Sequence, residues 1–264
     1  MKNGVRLVSA AVAAGLVGFM SLAVQAKDYT GDVNDGVIAF GEITEDSTIT
    51  IASGTTVSNL TAITGTGALA ISGGGTLVMA AESPAYSGAI TIDNTIVRLA
   101  AENPLGTGKV TLNGATAQLV FECAIMDGKT LVNEFEVNGS TIEAQTFYFE
   151  KPTTDKYVIF RGPLTVNDNI HLYAVWSNGV SGVRIAQFTN SAVTAKGEIR
   201  FDSFTKDSTK MGYYALYGLV TAKSLYATGE SSSRSMPNVL LYGCSGKCGT
   251  VSGGMRLGWL RKVA

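Results

Sequence analysis

The chain is poor in the residues that metal centres and nucleophilic active sites draw on. It has one histidine, His171, and three cysteines, Cys123, Cys244 and Cys248. So few thiols and imidazoles make a zinc site a poor expectation. They also leave a single imidazole for any Ser-His-Asp set. Charged residues make up 16% of the chain, low for a soluble protein. The 20 basic side chains are matched by 21 acidic ones. No basic surplus exists to neutralise a phosphate backbone, so nucleic acid is not expected as a partner. Only five prolines occur, against 31 glycines. That balance points to repeated tight turns rather than a disordered tail. After Val24 no apolar run is long enough to cross a bilayer.

The one long apolar run lies at the start. Lys2 and Arg6 precede an apolar stretch from Leu7 to Val24, which ends in Ala-Val-Gln-Ala. Val24 and Ala26 occupy the −3 and −1 positions of a cleavage site, so residues 1–26 read as a secretory signal peptide. A membrane anchor is the alternative, because the run approaches the length that spans a bilayer. Cleavage after Ala26 leaves 18 basic against 21 acidic residues, a net charge of −3. In an exported chain, Cys244 and Cys248 either close a small disulfide loop or remain two thiols.

One stretch imitates a nucleotide loop. Pro104 to Gly114 reads Pro-Leu-Gly-Thr-Gly-Lys-Val-Thr-Leu-Asn-Gly. A phosphate-binding loop needs Gly-x4-Gly-Lys-Ser/Thr. Asn103 stands at the first glycine position and Val110 at the hydroxyl position, so no nucleotide site is assigned.

The glycines belong to a repeat. Five segments align, starting at 47, 67, 88, 108 and 128. In the first four, apolar residues fall two and four places on: Ile49 and Ile51, Leu69 and Ile71, Ile90 and Ile92, Val110 and Leu112. The fifth is looser, with Thr130 at an apolar place. A second alternating segment follows at 75–79, 95–99 and 117–121. Period-2 alternation marks strands with one buried face. A unit of about 20 residues is too short for a helical repeat but fits one coil of a β-solenoid. An antiparallel sandwich is the alternative. Gly67, Gly88, Gly108 and Gly128 recur at one corner, where a positive φ is expected to favour glycine. Ser72, Asp93, Asn113 and Asn133 would stack as a polar ladder, and Glu82, Glu102 and Glu122 as a carboxylate column. That column either shares a cation or splays into water, and the solvated edge is the expectation.

Gly65 to Phe121 resembles the autotransporter-associated β-strand repeat. The resemblance rests on Gly75-Thr76-Leu77, Tyr86-Ser87-Gly88, Leu105-Gly106-Thr107-Gly108 and Val110-Thr111-Leu112-Asn113. It implies a right-handed parallel β-helix, secreted or exposed on a bacterial cell surface, with a structural or adhesive role. The family's C-terminal outer-membrane barrel is not expected in the 143 residues after Phe121. Outer-membrane association stays open, and self-transport is not expected.

The domain reading is therefore a signal peptide at 1–26, solenoid repeats at 27–137, irregular β coils or a cap at 138–227, and a linker and tail with the cysteine pair at 228–264. The expected function is a non-catalytic scaffold, with host or environmental glycans or surface proteins as partners. No catalytic, cofactor-binding or metal residues are assigned, and no cofactor is expected. The alternatives are a polysaccharide-binding module or a polysaccharide-degrading β-helix enzyme. Tyr86 and the aromatics of 211–219 are the candidate sugar contacts, with core or capping use expected for the latter.

Overall fold

In the computed structural model the chain is described over residues 27–141, 143–144, 146–152, 156–176, 183–189, 192–205, 212–228, 238–242 and 248–253. Nearly all of its regular structure is strand, and the strands stack in three long ladders, with one further parallel pair, Glu42–Ile43 with Thr64–Gly65. The first ladder runs through Lys27–Asp28, Ser47–Thr50, Leu69–Ser72, Ile90–Asp93, Val110–Asn113, Phe135–Asn138 and Leu164–Val166. The second runs through Val37–Ile38, Thr56–Asn59, Thr76–Met79, Ile96–Leu99, Gln118–Glu122, Phe147–Glu150 and Ile170–Trp176. The long strands Val193–Thr205, Val220–Thr228 and Cys248–Gly253 then serve both ladders. A third ladder takes in Thr130–Leu131, Val158–Phe160, Val183–Phe188, Gly212–Tyr217 and Asn238–Tyr242. Every ladder pairing is parallel, and each strand pairs with its equivalent one coil later. This is a β-solenoid, not an antiparallel sandwich.

Alternation along each strand buries one column of side chains per ladder. Ile49, Ile71, Ile92, Leu112, Val137 and Val166 lie in register on the first ladder. Val57, Leu77, Val97, Leu119, Phe147, Leu172 and Phe201 do so on the second. All are buried in one continuous core. Each such side chain contributes about 1.5–3 kcal/mol by leaving water.

Two of the five aligned segments sit elsewhere than the 20-residue spacing places them. Ser47 faces Leu69 and Ile49 faces Ile71, so the first segment is offset by two residues. An even offset preserves which face is buried, so the hydrophobic pattern cannot reveal it. The fifth segment belongs to the third ladder, where Thr130 pairs with Ile159. The partner of Val110–Asn113 is Phe135–Asn138. The short α-turn Cys123–Met126 lengthens this coil and displaces the strand.

The glycine corner has a different cause from the one expected. Gly67, Gly88 and Gly108 do not have positive φ. A Cβ at Gly88 would instead overlap the carbonyl oxygen of Gly67, and one at Gly108 that of Gly88. Coil lies directly on coil here, and only glycine leaves room. Gly128 has φ 75° but stands against Lys156, outside this corner. Asn133 follows Gly108 at the corner, donating from Nδ2 to the carbonyls of Gly106 and Gly108 at 3.3 and 2.7 Å. It is therefore not part of the polar ladder. Asn138 takes that place, donating to Asn113 Oδ1 at 2.9 Å and accepting from Asn167 Nδ2 at 2.6 Å.

Candidate functional site

The three glutamates expected in one column do not stack. Met79, Leu99 and Phe121 share a register, so Glu82 and Glu102 lie three residues past it and Glu122 only one. Ile96 pairs with Gln118, a coil two residues longer than the one before, and Glu122 slips out of line. Glu102 meets Lys129 at 2.6 Å. Glu122 lies 3.5 Å from Arg98, whose guanidinium also pairs with Glu150. A basic residue thus stands beside acidic ones on this face. Among the described residues, no group of three or more His, Cys, Asp or Glu side chains is placed to hold a metal ion.

Two of the candidate sugar contacts, Tyr86 and Tyr214, lie in the core, which for Tyr214 is the use expected. Tyr86 is buried at the corner and donates its hydroxyl to the Gly67 carbonyl at 2.8 Å. Burial pushes its phenol far above the usual tyrosine range. Tyr214 is fully buried and donates to the carbonyl of Asp202 at 2.8 Å, so it serves the core. Residues 1–26, the 229–237 stretch and Cys244 lie outside the described residues.

What the fold does assemble is a chemically varied outward face on the second ladder. Outward positions of one strand meet outward positions of the next, because register is kept and side chains alternate. Tyr148, Tyr173 and Asp202 form one outward line. His171, Arg200 and Tyr226 form the next. Tyr148 and Tyr173 stack with centroids 5.7 Å apart and planes 17° from parallel. Burial, then the Glu150 charge, raises the Tyr148 phenol, with Arg98 opposing. Arg200 lies over the Tyr226 ring at 5.2 Å and donates from Nε to Glu198 Oε1 at 3.3 Å. His171 and Asp202 are both buried, with Nε2 and Oδ2 3.7 Å apart. Neither ring nitrogen of His171 has a hydrogen-bond partner, so no serine, threonine or cysteine is bonded to it as a nucleophile would be. Sequence reasoning missed this face because its strands lie beyond the regular repeat. The signal available was the polar and aromatic alternation within Ile170–Trp176 itself.

The outward face of the first ladder is plainer. Thr91, Thr111, Thr165 and Thr194 recur on it, with Glu136 between the second and third. At the turn beyond it lies an open depression of about 500 Å³ lined by Gly139, Ser140, Thr141, Glu143, Asp168 and Asn169. Asp168 Oδ2 already accepts from the Gly139 N–H and Asn169 Oδ1 from the Glu198 N–H. No helix among the described residues is long and apolar enough to cross a membrane. No family model, curated protein or solved structure matches the chain.

Proposed function

We propose that this protein is an exported β-solenoid of the autotransporter-passenger type, a structural or adhesive scaffold secreted or held at a bacterial surface, without catalysis. The observation that carries the reading is the stack of parallel rungs over one core among the described residues. Stacked rungs turn a short sequence unit into an extended surface, which suits display rather than an enclosed reaction site. The unpartnered ring of His171 supports the non-catalytic part, since no nucleophile is poised against it. Host or environmental glycans or surface proteins are the partners proposed for such a surface.

Fractionation of the source cells with N-terminal sequencing tests the export. The expected result is a protein beginning at Lys27 in the surface or extracellular fraction. An intact Met1 in the cytoplasm overturns it. Incubation with a polysaccharide panel tests the absence of chemistry, and release of new reducing ends overturns that part.

A further inference from the structure

We infer that the outward face of the second ladder around His171 binds an uncharged saccharide, with His171 and Asp202 as its floor. This rests on the reading of the chain as a display scaffold and gives that scaffold a ligand class. The His171 and Asp202 side chains are only 8% and 5% exposed. A separation of 3.7 Å is too long for a direct hydrogen bond. Asp202 Oδ1 accepts from the Ser203 N–H at 2.7 Å, while both nitrogens of His171 lack partners. A buried polar group left so carries an uncompensated desolvation penalty, and such groups in native proteins call for a water, an ion or a ligand.

The chemistry of the missing partner follows from the groups present. Uncharged imidazole offers one donor and one acceptor, and a hydroxyl group can answer either. A hydroxyl between Nε2 and Oδ2 would also bridge the gap to Asp202. Beside them, Glu198 supplies acceptors and Arg200 supplies donors. Donors next to acceptors suit neighbouring hydroxyls on one sugar ring. Tyr148 stacks on Tyr173, whose ring lies edge-on to His171 with centroids 5.8 Å apart, so both rings border the site. Charge selects among sugars. Glu122, Glu150, Glu198 and Asp202 outnumber Arg98 and Arg200, and still do when the imidazole is charged. An anionic polymer is therefore disfavoured.

Affinity electrophoresis of the full chain tests this, in gels cast with xyloglucan, glucomannan or galactan, and in parallel with polygalacturonate or alginate. The expected result is retardation by at least one neutral polysaccharide and by neither anionic one. His171→Phe keeps the ring's shape and removes the unsatisfied nitrogens. It should weaken retention about tenfold, the 1.4 kcal/mol of one hydrogen bond, without lowering the melting temperature. Glu198→Gln, at a partly exposed position, should weaken retention too and serves if the first variant misfolds. Absence of retardation by every neutral polymer overturns the inference, as does retention by the anionic gels alone. Unchanged retention in folded variants does the same. Reducing-end release is read separately and bears on the scaffold reading alone.

Discussion

The solenoid has a narrow half and a wide half. From Lys27 to Val110 equivalent residues of successive coils lie 20, 22, 21 and 20 apart. From Val110 to Val220 they lie 25, 29, 29 and 27 apart. The narrow coils are filled by Ile49, Ile71, Leu77, Ile92, Val97 and Leu99. The wide ones hold Phe121, Phe135, Phe147, Phe149, Phe160 and Phe188, stacked and edge-on at centroid distances of 4.7–6.4 Å. A longer coil encloses a larger cross-section, which must still be packed at the density of a crystal. Phenyl rings supply that volume. The wide half also carries the varied outward face. The comparison teaches that the regular repeat builds the rod, while departure from it makes room for chemistry.

The largest effect should come from the narrow corner. Gly108→Val drives side-chain atoms into the Gly88 carbonyl, and backbone cannot step aside there. The loss should exceed about 4 kcal/mol. Hydrogen exchange should show the narrow coils opening while the wide coils stay protected, because each coil touches only its neighbours. Uniform exchange along the whole chain would erase the distinction between the halves.

Next comes core exchange. Phe147→Ala should cost about 3–5 kcal/mol by denaturant unfolding, since three rings, Phe121, Phe135 and Phe160, surround the cavity it leaves. Val97→Phe in the narrow half should cost about 1–3 kcal/mol by overpacking. If Val97→Phe were neutral, coil length would not be what sets the core.

A smaller loss, about 1 kcal/mol, is expected for Asn138→Ala, which breaks the amide ladder between Asn113 and Asn167 where the halves meet. Thermal melting read at both halves checks whether they then unfold apart.

The smallest effect is electrostatic. Lys109 reaches from the last narrow coil to Glu136 at 2.6 Å and Glu134 at 3.0 Å. The hydrogen bond from Lys109 holds the Glu136 carboxyl below its usual range. That stabilisation is present above pH 4.5 and is lost as pH falls through the lowered value. The same contact raises Lys109, whose share is lost only as pH climbs beyond 10.5. These groups are well solvated, so Lys109→Met should cost only about 0.5 kcal/mol at low salt and less at high salt. Melting curves across pH in the parent and the variant measure the difference.

The sequence by itself determined the parallel solenoid and which residues face inward. Period-2 alternation and the spacing of near 20 are local signals, and they survive in Leu69, Ile90 and Val110, whose register is as spaced. Only the tertiary structure decided where coils lengthen, as at Cys123–Met126, because a bulge at a corner leaves the strand pattern intact. It alone separated Glu122 from Glu82 and Glu102, since a slip of two residues changes neighbours without changing faces. It alone explained Gly88 and Gly108 by the approach of one coil to the next. And it brought His171 beside Asp202, 31 positions along the chain, because register between strands depends on the length of every turn between them.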